Sequence, residues 1–189
     1  TDTGRQIILQ RINRHVFLRP ERIMENLRVL SGHIRQRAAA ADTTAGRMLR
    51  LPEILTARNG GDFVVDADGG FWRAQEFIAH TRTLDRISDI AQAEEVGSAL
   101  GRFHALIHDL DPVRLRQTLP GFHDAPAYFV RFLRASARPR RASASPELLH
   151  GLSFVESRWH LTRVLEQARR EGKLATRPIH GDTKLNNFL

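Results

Sequence analysis

Apolar and polar positions follow two regimes along the chain. Up to about residue 80 the apolar residues come mainly in short strand-like runs, with one helical stretch among them, and beyond it they recur at helical spacing. Gln6 to Ile12 is an apolar run bounded by polar residues and reads as a strand. Arg19-Pro20-Glu21 opens a helix to about Arg37, because proline suits a first turn and Ile23, Leu27, Leu30 and Ile34 share one face. Ala38 to Thr44 reads as a polar, Ala-rich loop. Phe63 to Asp66 and Phe71 to Phe77 are strand-like, and Ala67-Asp68-Gly69-Gly70 between them predicts a β-hairpin.

In the second regime, Val96, Leu100, Phe103, Ile107 and Leu110 predict a helix over Ala91 to Leu110. Gly97 and Gly101 lie four apart on it, a spacing that predicts close approach of another helix or backbone. Pro126 to Ala137 predicts a second helix, and the Arg/Ala/Ser-rich Pro139 to Ser145 a mobile link. Pro146 to Gly172 predicts one long helix with Leu149, Leu152, Val155, Trp159 and Leu165 inward and Gly172 as its stop. Ile179 then makes a short strand that presents His180 and Asp182.

Composition removes several function classes. There is no run of about 18 apolar residues for a membrane span and no apolar signal region at the start. The absence of Cys rules out disulfides and thiolate metal sites and suits a cytoplasmic protein. A formal net charge of +8 raises the question of nucleic acid. The charge comes from 27 Arg and 2 Lys, scattered apart from the stretch Arg134 to Arg141 and without interleaved aromatics. A small-molecule partner, with neither nucleic acid nor membrane, is the expectation. His104 and His108 have the i, i+4 spacing of metal ligands, but no third ligand follows at a recognisable interval. They read as surface or core histidines.

The chemistry is concentrated in Pro178-Ile179-His180-Gly181-Asp182-Thr183-Lys184-Leu185-Asn186-Asn187, which holds the pattern H-x-D-x-x-x-x-N. In kinase-fold phosphotransferases a loop of this pattern aims a carboxylate at the acceptor hydroxyl, then turns back to place an amide oxygen on a metal at the nucleotide phosphates. The stretch resembles the corresponding loop of the aminoglycoside phosphotransferase superfamily, most closely its N-acetylhexosamine 1-kinase branch. The resemblance runs on in collinear order through Ile8-Leu9-Gln10-Arg11-Ile12-Asn13, His15-Val16-Phe17, Met24-Glu25-Asn26, Asp66 to Arg73, Phe77-Ile78 and Leu119 to Asp124.

The resemblance implies an α+β, protein-kinase-like two-lobed fold, present in part. Residues 1–80 would be a partial nucleotide-binding lobe with its hinge near Phe77 to His80, and residues 81–189 a partial helical lobe ending in the catalytic loop. It implies an ATP- and Mg²⁺-dependent kinase acting on a small-molecule hydroxyl, in that branch the anomeric hydroxyl of an N-acetylhexosamine. The alternatives are a kinase for an aminoglycoside, choline or another amino alcohol, and a non-catalytic kinase-like binding protein. Asp182 takes the role of base and Asn187 that of metal ligand, with Asn186 as the competing register. His180 orients the loop. Lys184 either neutralises charge at the γ-phosphate or is a surface lysine. Arg11 stands where the family pattern has a strand lysine for the α- and β-phosphates, with Glu25 as its candidate partner. Glu76, Phe77 and Ile78 would meet adenine, and Asn13 and His15 the sugar. No Gly-rich phosphate loop precedes Arg11 and no second metal-binding Asp follows Asn187, so the chain reads as an internal fragment not expected to turn over ATP alone.

Overall fold

The computed structural model describes residues 4, 6–40, 49–137 and 144–188. The fold is α+β, a small antiparallel sheet followed by helices. It divides into two compact units, residues 1–119 with 177–189, and residues 120–176.

In the first unit three strands, β1 (Ile7–Ile12), β2 (Val64–Val65) and β3 (Phe71–Glu76), form a sheet of order β1-β3-β2. Ile7 pairs with Glu76 and Ile12 with Phe71, so the period of two puts Ile8, Gln10 and Ile12 on one face and Ile7, Leu9 and Arg11 on the other. Helix α1 (Glu21–Ala40) packs on the first face at its Ile12 end, while Ile8 stays 39% exposed. Ile12, Met24 and Phe71 form the core there, with Phe17, Ile23, Leu27, Ile54 and Phe63 against them. Met24 and Phe71 are fully buried, so Met24, outside the predicted stripe of α1, is its deepest residue. Phe63 stacks on Phe71 at 4.4 Å. The helix also runs on through Ala38 to Ala40, where the sequence predicted loop; the rest of that predicted loop lies outside the described residues.

The hairpin turn is organised by Asp66. Its Oδ1 accepts the N–H of Gly70 at 2.7 Å and of Asp68 at 3.1 Å, and its Oδ2 accepts the Trp72 indole N–H at 2.7 Å. Helix α2 (Ile90–Ile107) starts at Asp89, which caps Gln92 N–H, and buries Phe103 and Ile107, with Leu110 buried just beyond it. A Cβ at Gly97 or Gly101 would meet nothing within 4 Å. The close approach predicted from their spacing is therefore absent among the described residues. No described helix is long and apolar enough to cross a membrane.

The second unit carries α3 (Ala125–Ser136), capped by Asp124, and α4 (Pro146–Ser157), capped by Ser145. The mobile link expected over Pro139 to Ser145 lies largely outside the described residues. The single helix predicted from Pro146 to Gly172 is instead broken. After α4 come a 3-10 turn, Trp159–Arg163, and α5 (Val164–Arg170). The Phe154 carbonyl, which would accept the Arg158 amide in a continuing helix, accepts the Ser157 hydroxyl and the Arg158 guanidinium instead. The Arg158 amide turns to Val155. The predicted inward stripe is open as well: Val155 is 39% exposed, Trp159 49% and Leu165 71%. Gly172 does stop α5. At φ +73° it sits past the cap, its N–H on Arg169 and that of Lys173 on Ala168.

Candidate active site

The loop that carries His180, Asp182 and Asn187 belongs to the first unit. It approaches without the strand predicted at Ile179, whose side chain is 67% exposed. A lone β-branched residue after Pro178 found no partner strand. Gly181 adopts φ +81°, the left-handed region that glycine enters without strain, and this turns the chain between His180 and Asp182. A single 3-10 turn, Leu185–Asn187, then brings Asn187 back over the start of the loop.

The side chains close on one another. Asn187 Nδ2 donates to the Asp182 carbonyl at 2.7 Å and to its Oδ2 at 3.0 Å. Lys184 Nζ lies 3.6 Å from the same Oδ2. The Asn187 bond first, and the Lys184 charge with it, hold the Asp182 carboxyl below its ordinary value. Asp182 is exposed and ionised, open to a molecule arriving from solvent.

His180 sits behind. Its Nδ1 accepts the Asp182 amide N–H at 3.3 Å, which assigns the neutral ring its proton at Nε2. The Phe103 ring of α2 meets the imidazole edge-on at 5.4 Å, and Phe188 stacks on it at 6.1 Å. Phe103 was readable as a core position, but its role as the wall behind His180 was not, since nothing local links the two.

A second cluster forms at the far end of β1. Arg11, Asn13 and His15 line a groove of about 620 Å³ with Arg14, Gly69 and Gly70. Asn13 Oδ1 accepts the His15 N–H at 2.9 Å, and Arg14 donates to Gly69 O at 3.0 Å, tying the segment after β1 to the hairpin turn. The Arg11 guanidinium lies 5.8 Å from the Trp72 ring and helps to hold Asp66 below its ordinary value, behind the larger effect of the Trp72 and Gly70 bonds. Glu25 does not pair with Arg11. It faces Arg116 instead, 3.5 Å away.

Of the three residues expected at adenine, Glu76 donates its N–H to Glu53 O, and its carboxylate accepts the Arg50 guanidinium. The Ile78 carbonyl accepts Thr81 Oγ1 at 2.9 Å, and Phe77 is 42% exposed. The structure thus gathers His180, Asp182, Lys184 and Asn187 in one place and Arg11, Asn13 and His15 in another. A family model described as the phosphotransferase enzyme family (APH) matches residues 1–189.

Proposed function

The chain belongs to the phosphotransferase enzyme family, and from that premise we propose that it moves the γ-phosphoryl group of ATP to the anomeric hydroxyl of an N-acetylhexosamine. Family membership makes it a kinase-type phosphotransferase for small molecules; the nucleotide, the metal and the sugar are our reading. The observation that carries it is the pairing of Asp182 with Asn187 and Lys184 in one exposed loop.

Phosphoryl transfer asks the protein mainly for position and for neutralised charge. Asp182 is the base: ionised at neutral pH, it accepts the proton of the sugar hydroxyl as oxygen attacks phosphorus. Asn187 directs its N–H₂ at Asp182, and both of those bonds leave its amide oxygen uncommitted. That oxygen is a hard donor of the kind Mg²⁺ takes; among the described residues no cluster of three acidic or histidine ligands surrounds it, so the nucleotide phosphates and water would supply the rest of the shell. Mg²⁺ held there would neutralise charge on the phosphates. Lys184 adds a cation beside the transferring group, and Arg11 one at the α- and β-phosphates. His180 aims the loop through its bond to the Asp182 amide. Glu76, Phe77 and Ile78 border adenine, and Asn13 and His15 face the sugar. Residues 1–80 would form the nucleotide lobe and 81–189 the helical lobe of a cytoplasmic enzyme without nucleic-acid or membrane partners.

The test is an acceptor panel. The full-length protein is incubated with Mg²⁺-ATP and N-acetylhexosamines, aminoglycosides or choline, and new phosphate esters are followed by phosphorus NMR. The expected product is a sugar 1-phosphate. An ester on an aminoglycoside or choline instead would overturn the sugar assignment and keep the base. ATP binding without any ester would favour a non-catalytic kinase-like protein.

A further inference from the structure

Four polar residues of α1, Arg22, Asn26, His33 and Arg37, fall within an arc of about 60° around the helix at 3.6 residues per turn. Read alone, such a stripe is a solvated face. All four instead reach the end of α2 or the segment after it. His33 and Arg37 each contact Asp109 at 3.1 Å, and Arg22 donates to Gln117 O at 3.1 Å. Asn26 makes the most specific contact. Its Nδ2 donates to Arg116 O at 2.8 Å and its Oδ1 accepts Arg116 N–H at 2.7 Å, so one side-chain amide satisfies both backbone groups of a residue 90 positions away. Glu25 adds its ion pair to the same Arg116.

The two elements joined here lead to the two halves of the site. Helix α1 follows β1, which carries Arg11, and α2 holds Phe103 against His180. We propose that Asn26 is a positioning residue for phosphoryl transfer: its amide pairs with the Arg116 backbone and so fixes the Arg11 end of β1 relative to the loop of Asp182. The inference rests on the roles proposed for Arg11 and Asp182. The chemistry of the bond is selective. Alanine offers neither donor nor acceptor, and aspartate keeps the acceptor but sets a charge against the Arg116 carbonyl. Arg35, roughly 180° round the helix from Asn26, lies outside the stripe.

The test compares full-length wild type with Asn26→Ala, Asn26→Asp and Arg35→Ala. Three quantities are read: kcat at saturating ATP and acceptor, the Kd of ATP, and hydrogen exchange at the Arg116 amide. Asn26→Ala is expected to lose protection at Arg116 and on the order of 10- to 100-fold in kcat, because small misplacements of reacting groups are costly. The Kd of ATP should move much less, and Arg35→Ala should match wild type. Where Asn26→Ala does not fold, Asn26→Asp decides by the same split between kcat and Kd. Lost protection with kcat within twofold of wild type would overturn the positioning role. Unchanged protection would show that the clamp does not exist in solution. A wild type that transfers no phosphate overturns the proposed function, and the positioning role with it, while the exchange data still report on the clamp.

Discussion

Asn187 donates twice to Asp182, and this fixes the sign of the loop's pH behaviour. A carboxyl held below its ordinary value stays charged as pH falls through 3.8 and takes up its proton only further down. Whatever the bond adds to stability is complete above the ordinary value and lost as pH falls through the lowered one. In Asn187→Ala the largest cause of the shift is gone, so the midpoint must rise. A carbon NMR titration of the Asp182 carboxyl measures it: below 3.8 in wild type, higher in the variant. A midpoint that stays put in Asn187→Ala would mean the bond is not made in solution. At this scale the sequence was a good guide to placement, because His180, Asp182 and Asn187 lie and bond within one short loop. It was a poor guide to Glu25, whose partner Arg116 comes from a distant part of the chain.

The elements were legible where their signals are local. The strand of β1, the hairpin, α2 and the Gly172 stop all follow from runs, caps and turn residues a few positions apart. The break after α4 was not, because it depends on which group the Phe154 carbonyl accepts, and two side chains compete for it. The hairpin offers a sharp test of packing. A Cβ on Gly70 would lie 2.5 Å from Asp66 Oδ2 and 2.9 Å from Trp72 Nε1, so the Asp66 carboxylate would have to leave the turn it organises. Gly70→Ala should cost about 1–3 kcal/mol, the range for overpacking a tight site, as measured by urea unfolding. A variant as stable as wild type would show that Asp66 can be displaced without consequence.

For the molecule as a whole, a β-rich stretch holding one helix, followed by a helical stretch, was legible from the switch in apolar periodicity. The family followed from motifs spread collinearly along the chain. What stayed hidden were contacts between elements far apart in sequence: Met24 under the sheet, Phe103 behind His180, and Asn26 on the Arg116 backbone. Periodicity names a candidate face of a helix; it does not say what, if anything, covers it. Of these contacts, that of Phe103 is made with the loop itself. Asp182 is proposed to accept the acceptor's proton during transfer from ATP. The measurement is the rate of ester formation by full-length wild type and Asp182→Asn, with ATP affinity determined in parallel. Asp182→Asn should bind ATP as wild type does and lose about 10²- to 10⁴-fold in kcat, the usual contribution of a positioned base. A variant that transfers phosphate at the wild-type rate would show that Asp182 is not the base.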